Sequence, residues 1–212
     1  MNEPAETALQ PHQARWLQML DAYASAYPRE EEAVAQFRAF MQAHADAAER
    51  TRIAGHLTGS AWLVSRDGKR ALLTHHRKLD RWLQPGGHAD GDTDLARVAL
   101  REAEEESGIA HLAVDGAIFD IDRHEIAAYI PVVSPDGPFA PGERSPTRAS
   151  EPAHWHYDVR FVVRATAGEA FVVGDESHAL AWREIAMLAD DAGFDASLRR
   201  MARKWLARTP PA

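Results

Sequence analysis

Cysteine is missing from all 212 residues. That excludes disulfide scaffolds, thiolate nucleophiles and cysteine-built metal sites, and it is compatible with a reducing compartment. Long apolar runs are missing too. No stretch approaches the roughly 18 residues of a membrane helix, and the amino terminus carries no basic segment leading into an apolar core. The chain is therefore expected to be cytoplasmic, with no membrane partner. Positive charge is in deficit, 24 Lys and Arg against 32 Asp and Glu, for a formal net charge of -8. That balance argues against a nucleic-acid polymer as partner, and any anionic ligand must be drawn in by metal or by a few local cations.

The length suits one well-buried domain with an extension. The first fifty residues lack strand alternation. Trp16, Leu20, Tyr23 and Tyr27 form one helical stripe, and Val34, Phe37, Met41 and His44 form another after the break at Tyr27-Pro28. The expected organisation is an N-terminal helical hairpin over residues 1–52, then a domain over 53–212 that includes a C-terminal helix. The hairpin offers a surface for packing on the domain or for a homodimer. From Leu57 the period changes to that of strands. Runs at Leu57 to Ser65 and Arg70 to His76 flank an Asp67-Gly68 turn, and further strands are predicted at Ala117 to Ala128, His154 to Thr166 and His178 to Trp182. Residues 131–152 hold six prolines and two glycines, a loop composition. Near the end Phe194, Leu198, Met201 and Trp205 are spaced for an amphipathic helix, with Arg199, Arg200, Arg203, Lys204 and Arg208 on an expected solvated stripe.

The run GGHADGDTDLARVALREAEEESGI, from Gly86 to Ile109, carries the chemistry. Asp94 to Ser107 is predicted to be a helix, capped by Thr93 or Asp92 and closed by a left-handed Gly108. Glu102, Glu105 and Glu106 then lie at i, i+3 and i+4 on one face, whereas Glu104 points about 200° away from Glu102. Three carboxylates so close repel one another unless a cation neutralises them; hard oxygen donors select Mg²⁺, Mn²⁺ or Ca²⁺ over Zn²⁺, and a site that keeps waters and accepts phosphates suits Mg²⁺. Arg97 and Arg101 precede the cluster and no cation follows it on the helix, unlike an ordinary solvated face. The Gly86-Gly87 turn lets the backbone approach an ion or a pyrophosphate.

These residues resemble the signature of the Nudix hydrolases. Gly87, Arg101, Glu102, Ala103, Glu105, Glu106, Gly108 and Ile109 all match, and Thr93 stands where the family has glutamate. The resemblance implies an α/β (α+β) fold, an α/β/α sandwich around a mixed β-sheet, here with the helical extension added. It implies hydrolysis of the pyrophosphate linkage of a nucleoside diphosphate derivative by metal-activated water. Mg²⁺, with Mn²⁺ as a substitute, would be held by Glu102, Glu105, Glu106 and the main-chain carbonyl of Gly86, and Arg101 would orient a cluster carboxylate. The general base is not transferable by motif. Glu106 is one candidate, and Glu169 and Glu176 are loop candidates. An isomerase on the same fold would use a cysteine, which this chain lacks. The alternative function is a non-catalytic nucleotide-binding or regulatory module of the same fold.

A second polar constellation alternates along two predicted strands, Asp120, Asp122 and His124 on one and His154, His156 and Asp158 on the other. Period two places each trio on a single face. The readings are a solvent-facing or internally satisfied surface, or a substrate wall with His124, His154 and His156 as contacts, or an additional metal site. Zinc is the less favoured version of the last, since no single tetrahedral set stands out. Arg77 and Lys78 are the candidate phosphate contacts nearest the glycine turn.

Overall fold

A computed structural model of the chain describes residues 8–129, 151–175 and 177–208. The proline-rich segment up to residue 150, and Glu176, lie outside the described residues. Helix α1 (Pro11–Ala26) opens on proline, whose missing N–H costs nothing in a first turn. A single 3-10 turn at Pro28–Glu30 leads into α2 (Glu31–Ala43). Trp16, Leu20, Tyr23, Val34, Phe37 and Met41 are buried, as their helical spacing predicts. Their cluster is continuous with Leu57, Ala89, Leu95, Val98 and Phe161 of the following segment. The backbone is joined as well, since Leu57 N–H donates to Ala47 O at 2.7 Å and Gly91 N–H donates to Ala48 O at 2.9 Å.

The sheet comprises β1 (Gly55–Val64), β2 (Arg70–His76), β3 (Arg81–Leu83), β4 (Gly86–His88), β5 (Leu112–Ile126), β6 (His154–Ala165) and β7 (Ser177–Glu184). Its order is β3-β2-β1-β6-β5, with β4 paired to β1 and β7 to β2. β1 and β6 run parallel and the other pairs antiparallel, so the sheet is mixed. Helix α3 (Leu95–Ser107) packs with α1 and α2 on one face, while α4 (Ile185–Leu188) and α5 (Ala196–Leu206) cover Trp62, Val64, Phe119 and Val162 on the other. This is a three-layer α/β/α arrangement. No helix among the described residues is long and apolar enough to cross a membrane.

Two strands escape the sequence pattern. β3 and β4 have three residues each, too few for alternation to show, and Gly86-Gly87 is poor strand sequence. β4 is nevertheless seated tightly. A Cβ at Gly86 would lie 2.1 Å from Ser60 Oγ, so only glycine lets β4 lie against β1 there. The β1–β2 turn conforms to expectation, with Gly68 left-handed at φ 69° and the Lys69 N–H on Asp67 Oδ1 at 3.0 Å.

The C-terminal stripe is a correction. Arg200 and Lys204 do not lie on a solvated face. Arg200 Nη2 reaches Asp120 Oδ2 and Asp122 Oδ1, both at 2.8 Å, and Lys204 Nζ reaches Asp120 Oδ1 at 2.6 Å. A buried carboxylate needs cations, and α5 crosses this face of the sheet where it can supply them.

Candidate active site

Helix α3 starts one residue later than its sequence suggests. Its cap is Asp94, whose carboxylate accepts the Arg97 N–H, and neither Thr93 nor Asp92 serves. Asp92 is committed elsewhere. It accepts Arg97 Nε at 2.8 Å and Nη2 at 2.7 Å, and Arg97 holds its carboxyl below the usual range. The carbonyl of Thr93 accepts the indole N–H of Trp16 at 2.9 Å, so α1 pins the segment leading into α3. At the other end Gly108 is left-handed at φ 64° and its N–H returns to Glu104 O at 2.8 Å.

The helix meets the sheet through glycines. A Cβ at Gly59 would come within 2.9 Å of the Leu95 carbonyl and of Val98, so β1 and α3 make backbone-close contact. A Cβ at Gly87 would lie 2.4 Å from Glu102 Oε2, so the Glu102 carboxylate occupies the space a side chain would take. Gly86 N–H donates to Glu106 Oε1 at 2.8 Å. Arg101 completes the clamp. Its Nη2 donates to His88 O at 3.0 Å and to Glu102 Oε1 at 2.8 Å, and its Nε stands 4.0 Å from Glu105 Oε1.

The environment of the three carboxylates is graded. Glu102 is mostly covered, Glu106 is half-buried, and Glu105 is exposed, as is Glu104. Burial raises the Glu102 carboxyl above its ordinary value, with Arg101 pulling the other way. A divalent cation suits this donor set, because two carboxylates face the glycine strand and Arg101, which pairs with Glu102, is shared with the His88 carbonyl.

The other candidates are scattered. Arg77 donates from Nη2 to Ser177 O at 2.9 Å, and Lys78 lies exposed in the same β2–β3 turn with its N–H on His76 Nδ1 at 3.2 Å. Glu169 is engaged by Arg70 at 2.5 Å and by the Arg66 N–H at 2.9 Å. It therefore sits beyond the Val64 end of β1, which is about 13 Å along the strand from Ser60 at roughly 3.3 Å per residue.

The alternating Asp and His strands are neighbours. β5 and β6 pair so that Asp122 faces Asp158 and His124 faces His156. The aspartates are internally satisfied. Arg160, fully buried, bonds Asp158 Oδ2 at 2.7 Å, Asp120 Oδ2 at 3.1 Å and Asp122 Oδ2 at 3.3 Å, and Thr58 and Ser60 donate to Asp158. The histidines gather at the other end, where β1 and β4 add His56 and His88. Sequence reasoning missed these two. His56 stands opposite His156 through the parallel β1–β6 pairing, and no local pattern encodes a pairing between strands a hundred residues apart.

A NUDIX domain family model matches residues 56–205. Among solved structures, a C. elegans Ap4A hydrolase binary complex is 18% identical, with TM-score 0.48, covering 71% of this chain and 95% of that one. A NUDIX-family hydrolase from Clostridium perfringens is 21% identical, with TM-score 0.46, covering 71% and 95%. RenU, a Nudix hydrolase from M. smegmatis, is 21% identical, with TM-score 0.47, covering 74% and 90%. No curated protein matches.

Proposed function

Since this chain belongs to the Nudix family, we propose that it is a pyrophosphohydrolase that cleaves a nucleoside diphosphate derivative with Mg²⁺ held by Glu102, Glu105 and Glu106. One observation carries this reading. The Glu102 carboxylate fills the side-chain space of Gly87 while Glu106 accepts the Gly86 N–H, so the glycine strand and the acidic helix face are built around each other. A hydrophobic or solvated helix face would have no need of that fit.

Each residue then has a task. Glu102 and Glu106 present oxygens beside the main chain of Gly86, whose carbonyl is the proposed further donor. Glu105, more exposed, completes the set from the solvent side. When bound, a divalent cation supplies Lewis acidity at the phosphoryl oxygens and a lower pKa for a coordinated water. Arg101 is a positioning residue. Its guanidinium is tied to His88 O, which fixes the Glu102 carboxylate by a charge-assisted hydrogen bond. Among the described candidates Glu106 is the proposed base, because Glu169 is held by Arg66 and Arg70 beyond the Val64 end of β1, away from Gly86.

The test is product release from a panel of nucleoside triphosphates, nucleotide sugars, ADP-ribose and dinucleoside polyphosphates, with and without Mg²⁺. Mg²⁺-dependent release of a nucleoside monophosphate or phosphate from one of them supports the reading. Ligand binding in a thermal-shift assay with no turnover on any member would instead support the regulatory module.

A further inference from the structure

Five histidines from four strands meet on the sheet face opposite α3. His56 of β1 has its ring centroid 5.0 Å from those of His88 and His154 and 4.9 Å from that of His156. His124 of β5 lies 5.5 Å from His156. Imidazoles do not need one another's company. A buried ring is ordinarily satisfied by a carboxylate or a carbonyl, and three rings sharing one space leave nitrogens facing nitrogens.

The nitrogens are arranged as donors toward a common point. One ligand atom each from His56, His154 and His156 lies within 4.8 Å of the others. His154 Nε2 and His156 Nε2 are 3.2 Å apart, close to the separation of about 3.3 Å between two nitrogens on a tetrahedral zinc with bonds near 2.0 Å. Backbone carbonyls set the tautomers. His154 Nδ1 meets Pro152 O at 2.9 Å and His56 Nδ1 meets Arg52 O at 3.5 Å, so each ring spends its proton on Nδ1 and turns an Nε2 lone pair inward. This is the outer-shell arrangement that orients metal-binding histidines. His56 is 2% exposed and its Nε2 has no hydrogen-bond partner at all. An orphaned buried nitrogen costs about 1–3 kcal/mol unless something meets it.

We propose that His56, His154 and His156 form a transition-metal site, separate from the carboxylate cluster, that takes Zn²⁺. Neutral imidazoles select zinc over the hard cations that carboxylates prefer, so the two sites of this chain divide metals by donor chemistry. Glu151 Oε1, 4.0 Å from His154 Nε2, stands in reach of the fourth position. β4 joins the two sites, because Gly87 faces Glu102 while the next residue, His88, contributes its ring to the histidine cluster and its carbonyl to Arg101.

The test uses the full chain without an added histidine tag. After loading with Zn²⁺ and exhaustive dialysis, the wild type should retain one equivalent by elemental analysis, and X-ray absorption should count three imidazole nitrogens at about 2.0 Å. His56→Ala and His156→Ala should each drop retention at least tenfold, and Glu105→Gln should leave it unchanged. Absence of a retained equivalent in the wild type, fewer than three imidazoles, or loss of the ion in Glu105→Gln would overturn the proposal. The wild-type absorption measurement decides the matter even where a histidine variant does not fold. None of these readouts depends on hydrolysis, so failure of the hydrolase reading would be seen separately.

Discussion

The Glu106 carboxylate accepts the backbone N–H of Gly86 at 2.8 Å, tying the last turn of α3 to a three-residue strand. Two residues that are twenty apart in sequence thus define one edge of the proposed metal site. Glu102 and Gly87 define the other, through a carboxylate seated where a Cβ would be.

Gly87→Ala should therefore act on the site without touching the core. The new methyl would lie 2.4 Å from Glu102 Oε2, so the carboxylate must move by about an ångström. Displacements of that size cost on the order of 100-fold in rate. Mg²⁺-dependent turnover should fall by that order while the circular dichroism spectrum stays that of the wild type. Wild-type turnover in the alanine variant would mean that the Glu102 carboxylate is not used where it sits.

Arg160 is a prediction about stability. Burial alone would raise Asp120, yet Arg200, Arg160 and Lys204 hold it below 3.8. A carboxyl depressed in the folded state stabilises the fold above its unfolded pKa, and that contribution is lost as pH falls through the folded value. Urea midpoints should decline from about pH 6.5 downward, because burial holds His56 and His156 below the ordinary imidazole range and the unfolded chain takes up their protons first, and should fall further below pH 4 as the depressed carboxyls protonate. Arg160→Met strips buried Asp158 of its ion pair and leaves Asp120 and Asp122 to Arg200 and Lys204, and it should cost roughly 3–5 kcal/mol at pH 7, with a shallower acid limb. Equal midpoints for the two proteins at pH 7 would show that Arg160 does not support this network.

The N-terminal helices are predicted to be inseparable from the rest. Removing residues 1–50 would uncover Leu57, Ala89, Leu95 and Val98 together and remove the carbonyls that receive Leu57 and Gly91. The truncated chain should be insoluble or aggregate on size-exclusion chromatography. The milder Trp16→Phe, which loses the bond to Thr93 O and leaves a small cavity in the core, should cost roughly 2–3 kcal/mol in urea unfolding. A monodisperse, folded truncation would make the helices a dispensable appendage.

Local pattern made the helices and long strands legible, because Trp16, Leu20 and Tyr23 repeat at the helical period and His154 to Ala165 is long enough for alternation to appear. The acidic face was legible for the same reason, since three glutamates on two turns need no knowledge of the fold. What sequence could not convey came from pairing at a distance. β4 is too short to announce itself, His56 meets His156 only through the parallel β1–β6 pairing, and Arg200 and Lys204 look like a wetted stripe until α5 is laid over Asp120. Arg77 shows the converse, a cation near the motif in sequence whose guanidinium is spent on the Ser177 carbonyl.

The most direct test of the central claim compares single carboxylate-to-amide changes along α3. Each of Glu104→Gln, Glu105→Gln and Glu106→Gln removes one negative charge from the same turn of helix, so net charge changes alike. The measurement is kcat/KM for the best substrate of the panel, titrated against Mg²⁺. The expected result is a loss of at least about 100-fold for Glu105→Gln and Glu106→Gln, with a weaker Mg²⁺ response, and less than about threefold for Glu104→Gln, which faces solvent. Equal losses at all three positions, or none at Glu106, would contradict the assignment of metal-dependent hydrolysis to this helix face.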